Sequence, residues 1–114
     1  MQHRDRIILN KISDELLLAL DMLDQIDFDG FDKNEMMKRA VCMTVINIGE
    51  LVKNLSDDLR REHAHIPWKF IAGFRDVAAH KYQTLKMKDV YKTVKEDFPE
   101  LRENIGKITA EFSK

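Results

Sequence analysis

Apolar positions fall into helical periods along almost the whole chain. Ile8, Ile12, Leu16, Ala19, Leu20, Leu23 and Ile26 recur at steps of three and four, one face of a helix, while Asp14, Asp21 and Asp24 lie off that stripe. The run closes in Asp27-Phe28-Asp29-Gly30, where Gly30 is expected to take positive φ and break the helix. Asp32 with Glu35 three residues on predicts a capping box, and Phe31 with Met36 a hydrophobic staple. The helix they open is predicted to run to Glu62 or thereabouts. Its middle, Ala40 to Gly49, is apolar nearly all round, which calls for cover on two sides, by the bundle and by a second chain. Gly49 costs a helix about 1 kcal/mol against Ala, so it marks close approach of a neighbour. Asn47 and Glu50 share one face of this stretch. The favoured reading has Asn47 hydrogen-bonded in the core with Glu50 at its edge; the other has both looking into a site.

Pro67-Trp68 restarts the chain, since Pro suits a first turn. Phe70, Ile71, Phe74, Val77 and Ala78 form the apolar stripe of a third helix. Its other side carries Lys69, Ala72, Gly73, Asp76 and Ala79, small enough in places to admit another backbone. A short helix is predicted from about Met87 to Glu96. A last one opens at Asp97-Phe98-Pro99-Glu100 and is faced by Leu101, Ile105, Ile108 and Phe112. Tyr91, Met36, Met37 and Met43 are assigned to the core. Nothing alternates with period two. The expected fold is all-α, an up-and-down antiparallel bundle of four to five helices in one domain, 1–114.

Composition narrows the class. The single cysteine, Cys42, excludes an intramolecular disulfide framework and fits a reducing compartment. Four Gly and two Pro are too few for a turn-rich β chain. No signal-type apolar segment or run of about twenty apolar residues is present, so a soluble, cytoplasmic chain without a membrane partner is expected. His63 and His65, with Arg60 and Arg61, read as cations at a helix C-terminus, and no metal or cofactor is expected.

The formal net charge of −1 conceals an asymmetry. Residues 68–95 hold seven Lys or Arg against two Asp or Glu, a local +5, whereas residues 1–67 hold nine against thirteen. Trp68, His80, Tyr82 and Tyr91 lie in the basic stretch. Basic residues with aromatics suit a phosphate backbone, and Lys69, Lys81, Lys86 and Lys88 are the candidate RNA contacts. Charge alone fits a solvated lysine face equally well.

Within that stretch lies Arg75-Asp76-Val77-Ala78-Ala79-His80-Lys81-Tyr82, an R-x4-H-x-Y pattern. With the flanking runs Asn47-Ile48-Gly49-Glu50-Leu51, Ile66-Pro67-Trp68 and Ile71-Ala72-Gly73-Phe74, it resembles the signature of the HEPN superfamily, and specifically of the HepT-like toxins. The resemblance covers nearly the whole chain. It implies a metal-independent ribonuclease acting as a homodimer. It also implies a toxin paired with an MntA-like minimal nucleotidyltransferase antitoxin, which adds AMP to the motif tyrosine, here Tyr82.

These residue types can do that chemistry. A histidine titrates near ~6.5 and can serve as base or acid, the role expected of His80. The planar, permanently charged fork of Arg75 suits the charge that builds on phosphate. Asp76 is the supporting residue, expected to orient the imidazole or to raise its pKa. The expected products carry a 2′,3′-cyclic phosphate and a 5′-hydroxyl. At ~100° per residue, however, Arg75 and His80 are about 140° apart on one helix. Either the helix ends before His80, or residues of two chains combine. Two other classes stay open: a non-catalytic helical module that binds nucleotide or a nucleotidyltransferase, and a purely structural dimerisation bundle.

Overall fold

The computed structural model describes residues 2–112. Helix α1, His3–Met22, drops Ile8, Ile12, Leu16 and Ala19 of the predicted stripe into the core, together with Leu9, which the stripe did not include. It stops early. The chain reverses at Gln25, which has φ 58, and not at Gly30. Leu23 and Phe31 are both fully buried, so the chain must turn sharply between them. Gly30 instead sits inside a short helix α2, Phe28–Asp32, where its N–H donates to the N-cap Asp27 at 2.8 Å.

The cap expected at Asp32 lies two residues later. Asp32 is the last helical residue of α2, so it cannot also open the next helix. Asn34 caps α3, Glu35–Lys53, by accepting from the Met37 N–H at 3.0 Å. No staple forms, because Met36 is 82% exposed. Met43 is exposed as well, against the expectation of a core position, and so is Asn47.

Nor does α3 reach Glu62. The Asn54 side chain donates to the Glu50 carbonyl at 2.9 Å, competing with the helical ladder, and α3 ends at Lys53. Ser56 then caps a separate α4, Asp57–Glu62. The Ser56 N–H and Oγ–H both donate to the buried Asp5 carboxylate of α1, at 2.9 and 2.6 Å. This fixes the start of α1 to the α3–α4 break.

Helix α5, Trp68–His80, packs on α3, which also packs on α1, while α1 contacts the C-terminal helix. The result is an all-α bundle, 44 × 28 × 20 Å, with no strand among the described residues. After α5 a 3-10 turn, Tyr82–Thr84, leads to α6, Met87–Lys92. A π-helical turn, Thr93–Asp97, joins α6 to α7, Phe98–Glu111. The Phe98 N–H reaches back five residues to the Thr93 carbonyl, and Pro99 has no N–H to offer. The break expected at Asp97 is therefore absent: Asp97 is helical (φ −94, ψ −37) and its side chain caps nothing. Tyr91 Oη donates to Ile26 O at 2.6 Å and Lys95 Nζ to Leu23 O at 2.5 Å. Both bonds satisfy carbonyls just past the end of α1.

Candidate functional site

Arg75 lies in the middle of α5, pressed against α3 where α3 lacks a side chain. A Cβ built at Gly49 would fall 2.1 Å from Arg75 Cβ and 2.7 Å from its Cγ. Gly49 thus makes the predicted close approach, and the neighbour is the motif arginine. The arginine side chain is 21% exposed and lies between two carboxylates. Its Nε is 3.2 Å from Glu50 Oε2, an ionic contact without a linear hydrogen bond. Its Nη1 donates to Asp76 Oδ1 at 3.1 Å. Lys53 Nζ reaches the same Asp76 oxygen at 2.6 Å. Lys53, Asp76, Arg75 and Glu50 form a chain of two cations and two anions. The Lys53 ammonium, then Arg75, hold the Asp76 carboxyl below its usual range. Asp76 Oδ1 is thus shared by Lys53 and Arg75.

His80 is the last residue of α5 and is exposed. Lys81 ends the helix, with its N–H on the Val77 carbonyl at 2.8 Å. The helix is unbroken from Arg75 to His80, so the two diverge by about 140° around α5, and the first of the two sequence alternatives is excluded. His80 continues an outward stripe of Phe70, Gly73 and Val77, at steps of three and four. Phe70 is 53% and Val77 42% exposed, although both were expected to face the core. A Cβ at Gly73 would meet nothing within 4 Å.

Tyr82 opens the 3-10 turn and folds back onto α3 half-buried, with the Arg39 guanidinium carbon 5.2 Å from its ring centroid. Burial pushes its phenol above the usual value, reinforced by Glu35 and Cys42 and opposed by Arg39 and Lys38. Lys81, Lys86 and Lys88 are exposed on either side of this turn. Lys69 is not with them: it lies in the first turn of α5, roughly 18 Å of helix rise before Lys81. Trp68 is buried, its Nε1–H on the His63 carbonyl at 3.1 Å, so it offers no stacking surface. His63 and His65 lie edge to face at 6.1 Å, and no group of three metal-ligating side chains converges among the described residues.

Glu50, Lys53 and Arg39 join the motif only in space. Glu50 was visible as a polar break in the apolar run, but Lys53 and Arg39 meet their partners across long stretches of chain, which no local pattern signals.

Residues 12–108 match the family described as ribonuclease HepT-like. The chain belongs to this family. A protein named "Putative RNase" from Caldanaerobacter subterraneus subsp. tengcongensis is 33% identical over 103 residues, 90% of this chain and 92% of that one. A "Probable ribonuclease HepT" from Thermococcus cleftensis is 33% identical over 106 residues, 93% and 94% of the two chains. A further "Putative RNase", from Methanocaldococcus jannaschii, is 35% identical over 101 residues, 89% and 84%. No solved structure matches the chain. These relatives support a ribonuclease of the HEPN type, and the Arg75–Tyr82 segment lies wholly inside the matched range. No helix among the described residues is long and apolar enough to cross a membrane.

Proposed function

We propose that this HepT-like chain is a metal-independent endoribonuclease that cleaves RNA by attack of the ribose 2′-OH on the adjacent phosphorus. His80 exchanges protons with the 2′-OH and the departing 5′-oxygen, and Arg75 stabilises the charge on phosphate. The observation that carries this is Arg75 itself. A semi-buried guanidinium fixed on two sides, its Nε beside Glu50 and its Nη1 on Asp76, is a preorganised oxyanion partner. Lys81, Lys86 and Lys88 would guide the RNA backbone past Tyr82.

Because Arg75 and His80 point apart on one helix, the site is completed across a homodimer, with His80 of one protomer facing Arg75 of the partner subunit. The exposed stripe of Phe70, Gly73 and Val77 beside His80 supports such a face. The chain acts in the cytoplasm as the toxin of a toxin–antitoxin pair. A cognate MntA-like nucleotidyltransferase neutralises it by AMPylation of Tyr82. In that step the Tyr82 oxygen bonds to the α-phosphorus of ATP, pyrophosphate leaves, and the phenolic proton passes to a base of the transferase.

The test is incubation of the purified chain with a labelled RNA in the presence of a metal chelator. Fragments ending in 2′,3′-cyclic phosphate and 5′-hydroxyl are expected, and none from His80→Ala. If wild type and His80→Ala both leave RNA intact and expression of either is harmless, the chain is a non-catalytic binding module.

A further inference from the structure

The Tyr82 phenol does not stand alone. Glu35, Lys38 and Arg39, all in the first turns of α3, act on it together with the buried Cys42. Arg39 lies over the ring at 5.2 Å and is tied by Nε to Glu35 Oε1 at 2.9 Å. Lys38 Nζ holds the other Glu35 oxygen at 3.3 Å and is only 18% exposed. Glu35 therefore has two cationic partners and would keep one if the other left. The Arg39 side chain is 64% exposed, so it can swing without disturbing the core.

We infer that Arg39, with Lys38 behind it, is the receptor for a phosphate group carried on Tyr82, and that silencing proceeds by an ion-pair exchange in which Arg39 leaves Glu35 for that phosphate. This rests on the reading of Tyr82 as the modified residue. A phosphodiester on the Tyr82 oxygen adds a negative charge and hydrogen-bond acceptors within reach of a guanidinium, whose planar fork binds two phosphate oxygens at once. Glu35 stays neutralised by Lys38, so the exchange strands no charge. Once held by Arg39, the nucleotide is pinned against the end of α5, two residues from His80, where the RNA backbone must pass. Without Arg39 the nucleotide is tethered only by its ester bond and can swing clear.

Phosphotyrosine placed at position 82 by codon reassignment carries the phosphate on the same oxygen and needs no transferase. Three full-length chains are compared: unchanged at 39, Arg39→Lys and Arg39→Ala. By phosphorus NMR the second phosphate ionisation, near ~6 when unassisted, is expected to fall by about 0.2–0.7 unit in the first two chains and to return in Arg39→Ala. RNA cleavage is expected to be suppressed at least about tenfold in the first two and to recover in the third, whereas Arg39→Ala with an ordinary Tyr82 cleaves like wild type. The same phosphate titration in all three chains overturns the inference, as does suppression that persists in Arg39→Ala. Mass spectrometry after co-expression with a cognate nucleotidyltransferase is a separate readout. Absence of an adduct on Tyr82 there would sink the modification reading and leave the phosphate–Arg39 contact standing.

Discussion

Gly49 and Arg75 are in contact so close that a methyl group at Gly49 would lie 2.1 Å from the arginine Cβ. The arginine Cβ is fixed by the α5 backbone, so rotating the side chain gives no relief, and the Ile71 carbonyl lies 3.2 Å from the same added methyl. Gly49→Ala must push α3 and α5 apart, an overpacking cost of about 1–3 kcal/mol. It should also unseat the guanidinium, so cleavage is expected to fall further than the loss of folded protein explains. Gly106→Ala is the control. A Cβ there meets nothing within 4 Å, and the change should stabilise α7 by about 0.5–1 kcal/mol. Thermal melts and initial rates on the two variants give the comparison.

Glu50 holds one edge of Arg75 while itself remaining half-exposed. Glu50→Gln keeps shape and removes charge. The melting curve should barely move, since exposed pairs contribute roughly 0–1 kcal/mol. Cleavage should fall several-fold in kcat with KM little altered, because the arginine is less well aimed. Full activity in this variant would show that Asp76 alone seats the arginine.

A site completed between protomers has a signature in mixtures. Arg75→Ala and His80→Ala chains are each expected to be inactive. Unfolded together and refolded at equal concentration, half of the dimers would pair the two variants, and each of those would hold one intact site. About a quarter of wild-type cleavage should return. Mixtures that stay inactive would place both residues in one protomer.

Asp5 is 2% exposed and accepts two hydrogen bonds from Ser56. Asp5→Ala leaves the half-buried Ser56 N–H without its acceptor, at a cost of about 1 kcal/mol, or several degrees in melting temperature. Ribonuclease specific activity of the folded fraction should be unchanged, because Asp5 acts on the α1–α4 junction and not on α5.

The Tyr82 phenol is pushed above its ordinary 10 mainly by burial, so the folded chain favours its neutral form. That contribution to stability is complete below the unfolded value and disappears as pH rises through the higher folded value. In a Tyr91→Phe chain, phenolate absorbance should titrate above 10 when folded and near ~10 in denaturant. Cys42, 2% exposed with its thiol pushed up to about 11, should resist alkylation at neutral pH until the chain unfolds. A fast thiol reaction in native conditions would mean that the core around Cys42 opens readily.

The helices were legible where packing repeats regularly, and their ends were not. Leu51, Leu55 and Leu59 carry a helical period straight across the α3–α4 break, because all three still face inward after it. The stop lies in Asn54 and Ser56, whose side chains compete for backbone partners. Asp32 and Asn34 are both good caps, and the choice was made by α2, which takes Asp32 into its own last turn. The motif arginine and its glycine were both recognisable, but that they touch is a fact of α3 packing on α5. Phe70 and Val77 read as core because apolar residues on a helix carry no sign of which neighbour will cover them.

The π-helical turn at Thr93–Asp97 has a consequence for how the chain can change length. A wide turn holds one residue more than the regular helix, a phase step of about 100°. Leu101, Ile105 and Ile108 face the core only because that step has been taken. A single deletion in this turn would leave a smoother helix and a worse protein, with the inner face of α7 swung toward solvent. Thr93 and Val94 hold this turn in the core, and the residue count around them is locked.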